Sequence, residues 1–200
     1  ARAAKYIRAI LGSKAEFDLD LVKRYLQFLR KHQRPRLAFQ EARRYAAQHL
    51  AEGSTEQALA LYEEAIAIHQ DPETLERLFY SLLRVSRRER ALEVGLLLRN
   101  AIEDPAGRAV ASRVCKNLRE IAPDNPEVAE LTGRLLLCED KGEQGTLELE
   151  RALARMEPDH PRRRALLATL IELRPGIQET LLASEETELS KTRELLHREV

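Results

Sequence analysis

The chain has no tryptophan, one methionine and two cysteines in 200 residues, and aromatic side chains make up only 4% of it. Any core must therefore be assembled from Leu, Ala, Ile and Val. Two thiols, Cys115 and Cys138, supply neither a disulfide framework nor the ligand set of a zinc site, and they suit small core positions on helices. Glycine and proline are scarce at eight each. No apolar run approaches the roughly 18 residues needed to cross a bilayer, and no signal peptide is visible. The chain opens on Ala1 rather than Met, as an excised piece of a longer protein would, so the missing signals carry little weight. Long alternation of apolar and polar residues, the mark of a half-buried strand, is missing as well.

What is present points one way. Apolar residues make up 44% and charged residues 33%, and Ala, Leu, Glu and Arg dominate, so helix is favoured at nearly every position. The stretch "EGSTEQALALYEEAIAIHQDPE", Glu52 to Glu73, shows the grammar. Ser54 and Gln57 stand at capping-box spacing, apolar residues recur every three or four positions, and Asp71-Pro72 opens the next element. Asp104-Pro105, Asn125-Pro126 and His160-Pro161 repeat that polar-Pro signal. A side-chain acceptor at the N-cap satisfies an orphan N–H, and proline at the first helical position gives up nothing. His160 is the weakest cap of the four. Breaks at Gly53-Ser54, near Ser86 to Arg88 and at Lys141-Gly142 complete the punctuation.

These signals predict helices near 3–11, 17–32, 36–52, 55–69, 73–86, 88–102, 106–121, 126–139, 143–156, 161–173 and 177–199, the last broken near Ser184. Helices of 12–16 residues joined by short turns pack as antiparallel neighbours. They also repeat. Tyr45-Ala46-x2-His49 is followed, twelve residues after Ala46, by Ala58-x3-Tyr62-x2-Ala65. Thr132-Gly133-x2-Leu136 is followed, twelve after Gly133, by Gly145-x3-Leu149-x2-Ala152 and then Pro158. A small residue midway along each helix lets a pair approach closely.

With that layout the chain resembles the tetratricopeptide repeat family, whose unit is a 34-residue helix–turn–helix. "ALALYEEAIAIHQDPE" and "GTLELERALARMEPDHP" carry the likeness best. Ala91-x3-Gly95-x2-Leu98 and Ala111-x3-Cys115-x2-Leu118, with Pro123, are weaker copies. The repeats are degenerate: Ala42 and Ala129 stand where the family places a first-helix Trp. The resemblance implies an all-α, right-handed α-solenoid of antiparallel helix pairs. One array is expected over 1–200, with basic N-terminal helices in 1–35, the best-matched repeats in 36–158, and a C-terminal repeat with capping helices in 159–200. The spacing slips once. Small residues opening the second helices stand at 58, 91, 111 and 145, separations of 33, 20 and 34. Segment 106–121 is therefore expected to be an extra helix or a repeat missing its partner, with a change of superhelical pitch there. Leu189, Leu196 and Val200 form one stripe of an expected amphipathic cap.

Nothing converges on catalysis. His32, His49, His69, His160 and His197 are scattered one per region, and Glu63-Glu64 and Glu185-Glu186 are adjacent on helices, so their side chains diverge by about 100°. No phosphate loop, nucleophile elbow or HExxH motif occurs. The expectation is a protein that is not an enzyme, with no cofactor and no metal.

Binding is the remaining class. First helices of a tetratricopeptide array line a concave groove, and transferring that layout implies a groove face of Gln40, Arg43, Ala47 and Leu50, then Glu73, Glu76, Tyr80 and Leu83, then Glu127, Glu130, Arg134 and Leu137. Arg43, Tyr80, Leu83 and Arg134 are the preferred contacts for a peptide or helical segment of a partner protein. A clamp for a C-terminal carboxylate is disfavoured, because Ala47 replaces the Asn such a clamp uses and Glu73 and Glu76 would repel the ligand.

Formal charge sums to zero but divides unevenly. Residues 1–50 hold 12 Lys/Arg against 4 Asp/Glu, and residues 51–200 hold 21 against 29. Lys23, Arg24, Arg30, Lys31, Arg34, Arg36, Arg43 and Arg44 cluster around the "RKHQRPR" turn. Three readings stay open: a solvated surface neutralised by the acidic remainder, a docking patch for an acidic protein or an anionic membrane, or a nucleic-acid site. Tyr25 and Phe28 fall only at core-like spacing, which disfavours nucleic acid. Head-to-tail self-association is a further expectation from the charge division. So is a role as spacer or assembly module of a larger envelope or export protein, whether this soluble domain sits in cytoplasm or periplasm.

Overall fold

The computed structural model describes residues 19–174; the helices expected at 3–11 and 177–199, with the capping stripe Leu189, Leu196 and Val200, lie outside them. Every regular element among the described residues is helical. In order these are α1 (Leu19–Lys31), α2 (Pro35–Ala51), α3 (Thr55–Ile68), α4 (Pro72–Arg84), α5 (Arg88–Leu96), a 3-10 segment (Leu97–Ala101), α6 (Pro105–Ile121), α7 (Pro126–Cys138), α8 (Gly142–Arg155) and α9 (Arg163–Leu173). They form two compact units, one ending at Ala122 and one starting at Pro123. That division falls where the proline spacing slips from 33 to 21.

Two kinds of turn alternate, and each follows from its own chemistry. The turns entering α2, α3, α5 and α8 share one construction. A residue with positive φ (Gln33 55°, Gly53 80°, Ser86 61°, Asp140 59°) closes the preceding helix. The next N–H then reaches back five residues: Arg34 to the Leu29 carbonyl at 2.9 Å, Ser54 to His49 at 2.8 Å, Arg87 to Leu82 at 3.0 Å and Lys141 to Leu136 at 3.0 Å. Such an ending satisfies carbonyls that the last turn would leave bare. It also overturns the capping box at Ser54. The box needs the Ser54 backbone N–H for Gln57, but that N–H is already given to His49, and the Ser54 side chain makes no cap hydrogen bond.

The turns entering α4, α6 and α7 use the polar-Pro caps as the sequence indicates. Asp71 accepts from the Thr74 N–H at 3.0 Å, Asp104 from Gly107 at 2.9 Å, and Asn125 from Glu127 at 2.8 Å. The fourth pair fails: Pro161 lies in a turn and α9 begins at Arg163, with no side-chain cap on it. His160 instead accepts the Arg162 N–H on Nδ1 at 3.3 Å. The helix expected over 88–102 tightens after Leu96 into the 3-10 segment, where Arg99 donates to the Leu96 carbonyl at 2.8 Å.

In the first unit, α2 packs on α1 and α3, α4 on α3 and α5, and α6 on both α4 and α5. Tyr45, Tyr62 and Phe79 are its largest fully buried side chains, supplying the bulk that tryptophan would give elsewhere. Helix α6 is thus a first helix stacked on the preceding hairpin with no second helix after it in its unit, the repeat missing its partner that the spacing allowed at 106–121. Gly95 lets it approach: a Cβ there would meet Leu118 Cδ2 at 2.8 Å. Cys115 is buried on α6 and Cys138 half-buried at the end of α7, and neither forms a disulfide.

The second unit is the α7–α8 hairpin with α9 on α8. Gly133 and Gly145 set the hairpin's separation. A Cβ on either would lie 2.9 Å from the carbonyl oxygen of the other. Ala129, Leu149, Ala152, Leu153, Met156, Leu166 and Leu170 fill the space that follows, in one apolar cluster.

Candidate functional site

Within the first unit, α2 and α4 present the expected stripes to solvent in graded fashion. Gln40 and Glu73 are exposed; Arg43, Ala47, Leu50, Glu76, Tyr80 and Leu83 are half-buried. The stripes are tied together. Arg43 on α2 reaches the first turn of α4, with Nη2 3.1 Å from Glu73 Oε2 and Nη1 3.4 Å from the capping Asp71 Oδ2. Its guanidinium also stands 5.4 Å from the centroid of the Phe39 ring. Arg44, one position on, lies 4.1 Å above the Tyr45 ring and grips the buried Glu41 through Nη2 at 2.7 Å. A hollow of about 300 Å³ is lined by Gln40, Arg43, Arg44, Ala47, Tyr62 and Arg77.

On its other side α4 faces α6. Arg113 holds Glu76 with two arms, Nε to Oε1 and Nη2 to Oε2, both at 2.7 Å. Asn117 donates to the Tyr80 hydroxyl at 3.4 Å. Burial, and then the Glu76 carboxylate beside it, push the Tyr80 phenol above its ordinary value, against the opposing pull of Arg113. A cleft of about 640 Å³ runs along this seam, floored by Gly107 and Val110 and walled by Glu73, Glu76, Arg77 and Arg113.

Arg113 and Asn117 were absent from the sequence-derived face. A signal existed: Asp104-Pro105 follows Asp71-Pro72 by 33 residues, and the same step carries Tyr80 onto Arg113. Reading 106–121 as an extra helix or a repeat missing its partner left α6 off the expected face.

The α7 stripe in the second unit requires one correction. Glu127, Arg134 and Leu137 are half-buried, but Glu130 is only 2% exposed. Arg162 grips it bidentately and Arg134 adds a third bond at 2.8 Å. Burial by itself would raise the Glu130 carboxyl; the hydrogen bonds and charge of Arg162, with Arg134 behind them, outweigh burial and hold it below the usual carboxylate range. Glu130 is a structural ion-pair residue and presents nothing to a partner. Leu137 is drawn inward too, its Cγ 2.8 Å from where a Gly145 Cβ would stand.

Of the basic cluster, Arg30 lies 3.7 Å from Glu64, Arg43 and Arg44 are paired as above, and Lys23, Arg24, Lys31, Arg34 and Arg36 have no ion-pair partner among the described residues. The histidines are dispersed. His32 packs on Phe28 with centroids 4.3 Å apart, His69 stands edge-on to Phe39 at 5.3 Å, and His49 is buried. Among the described residues no group of three His, Cys, Asp or Glu side chains could hold a metal, and no helix is long and apolar enough to cross a membrane.

No family model and no curated protein matches this chain. Several solved structures resemble it weakly. MamA residues 41 to the end from Desulfovibrio magneticus RS-1 is 19% identical over 68% of this chain and 94% of its own, with a TM-score of 0.31. TTC0263, a thermophilic TPR protein of Thermus thermophilus, is 26% identical over 76% and 90%, with a TM-score of 0.32. The TPR domain of P58(IPK) is 16% identical over 86% and 60%, also at 0.32.

Proposed function

We propose that this chain is a non-catalytic protein-interaction scaffold that receives an extended or helical segment of a partner along the α2–α4–α6 face. The observation that carries the reading is the pair of clips at the two edges of α4. Arg43 from one side and Arg113 from the other neutralise Glu73 and Glu76. Tyr80 and Leu83 continue the same helical stripe beyond the clips, half-buried, as anchor material. Tyrosine and arginine are side chains enriched at interface hot spots, and the flanking charges would set selectivity and on-rate.

Peptides selected from a random displayed library against the full chain would test this, with binding then measured to Tyr80→Ala/Arg43→Gln. Gln is the better replacement for Arg43, since Glu would face Asp71 and Glu73. The expected result is loss of binding of about tenfold or more, with the circular dichroism spectrum unchanged. Selected peptides that bind the double variant as tightly as wild type would remove the α2–α4–α6 assignment.

A further inference from the structure

The surface around the α1–α2 turn is built differently from the rest of the first unit. Between residues 19 and 36 there are six cations, Lys23, Arg24, Arg30, Lys31, Arg34 and Arg36, against one acid, Asp20. Over residues 37–122 the balance is 12 Lys/Arg against 13 Asp/Glu. Several exposed arginines find carboxylates there, Arg87 taking Glu56 at 2.8 Å, Arg90 Glu63 at 2.7 Å and Arg113 Glu76 at 2.7 Å, while Arg77, Arg84, Arg88 and Arg119 stand among the acids without pairing among the described residues. Here five of six find none among the described residues. The acidic remainder of the unit does not neutralise them.

The surface is also held in shape. Gln33 at φ 55° and the Arg34-to-Leu29 hydrogen bond close α1, and Pro35 starts α2 at once. Residues 30–36 are all exposed. From Lys31 to Arg36 the cations lie within a few residues of one another, so their potentials add within a Debye length of about 8–10 Å. Four of the six are arginines, whose forked donors match carboxylates two at a time.

We infer that this basic turn is a docking surface for an acidic protein segment, a run of Asp and Glu side chains engaged by Lys31, Arg34 and Arg36 with Arg24 on the flank. The neighbourhood favours that polyanion. Among the described residues Tyr25 is buried and Phe28 is half-buried against His32, so no exposed Phe or Tyr ring is offered at the turn to stack a base. No large exposed apolar side chain stands at the turn to enter a bilayer. Arg36, Gln40, Arg43 and Ala47 follow helical spacing along α2, so a segment held at the turn has a polar track leading onto the face proposed above, though the docking itself does not depend on that face.

The test uses the full chain and a fluorescein-labelled decaglutamate peptide, with anisotropy read at about 50 and about 200 mM NaCl. Wild type is expected to bind at the lower salt and to weaken about tenfold at the higher. Arg34→Glu/Arg36→Glu should lose about tenfold or more at the lower salt, Arg34→Lys/Arg36→Lys, which keeps the charge and removes the fork, should fall between wild type and the reversal, and Tyr80→Ala should bind as wild type. That last variant separates this surface from the α4 face. No binding at the lower salt, or binding indifferent to the double reversal, overturns the inference. So does tighter binding, at matched concentration of anionic groups, of a random-sequence DNA duplex or of phosphatidylserine vesicles.

Discussion

Arg162 holds the buried Glu130 across 32 residues of chain, Nε 2.8 Å from Oε2 and Nη2 2.7 Å from Oε1. It is the residue that precedes α9, so the pair pins the entry to α9 onto α7. A buried carboxylate deprived of its partner is costly, and Arg162→Ala is expected to lower stability by about 2 kcal/mol. The pH dependence follows from the depressed carboxyl. Its contribution is complete above the unfolded value of about 4.3 and disappears as pH falls through the lower folded value. Glu130→Gln should therefore be less stable than wild type at neutral pH, and the gap should narrow on acidification. Urea titrations at about pH 7 and about pH 3.5 measure it; a gap that stays constant would show the carboxylate's charge contributes nothing.

The glycines of the α7–α8 hairpin divide by environment. A methyl at Gly133 or Gly145 would press on the backbone of the facing helix, and Gly133→Ala is expected to cost about 1–3 kcal/mol. Gly142 begins α8 with nothing within 4 Å of its Cβ position and without positive φ. Gly142→Ala should stabilise by about 0.4–1 kcal/mol. Thermal melts of the two single variants should move in opposite directions.

Three of the four closing turns place a side-chain-bearing residue at positive φ, and Gly53 alone relieves that strain by its own chemistry. Ser86→Gly should therefore stabilise by up to about 1 kcal/mol, and Gly53→Ala should destabilise by a similar amount. Paired melting curves of these two variants give the comparison directly.

Asp71 and Ser54 both precede a helix, and only one of them caps it. Asp71 accepts from the Thr74 N–H and hydroxyl, the latter at 2.8 Å, and also meets Arg43. Asp71→Ala is expected to cost about 1–2 kcal/mol, while Ser54→Ala should stay within about 0.5 kcal/mol. Equal losses would contradict the turn construction described for Ser54.

Helix boundaries were legible wherever the signal was local. Asp71-Pro72, Asp104-Pro105 and Asn125-Pro126 act within three residues of themselves, and the structure starts helices at all three. His160-Pro161 misled because Pro161 and Arg162 stay in a turn: His160 accepts the Arg162 N–H only at 3.3 Å, and α9 begins at Arg163. Ser54 misled for a different reason: its N–H was claimed by the preceding helix, which a forward-looking motif does not register. The Gly133–Gly145 contact was readable because two small residues twelve apart on a hairpin have little else to meet.

The candidate faces were less legible. Helical spacing puts Glu127, Glu130 and Arg134 on neighbouring positions but does not say how far that stripe is turned inward. Glu130 is buried because Arg162, from beyond the next helix, lies over it, and no local pattern announces a partner 32 residues away. Arg113 entered the α4 face by the same route, across 37 residues.

Periodicity and capping chemistry are short-range properties, complete within a turn or two of helix, and so the residues themselves dictated an all-helical chain of closely packed hairpins. Which charges are cancelled is a long-range matter. It depends on carboxylates and guanidiniums brought together from different helices, and only the packed helices decided that Arg43 and Arg113 are clipped to acids while Lys31, Arg34 and Arg36 are left facing solvent.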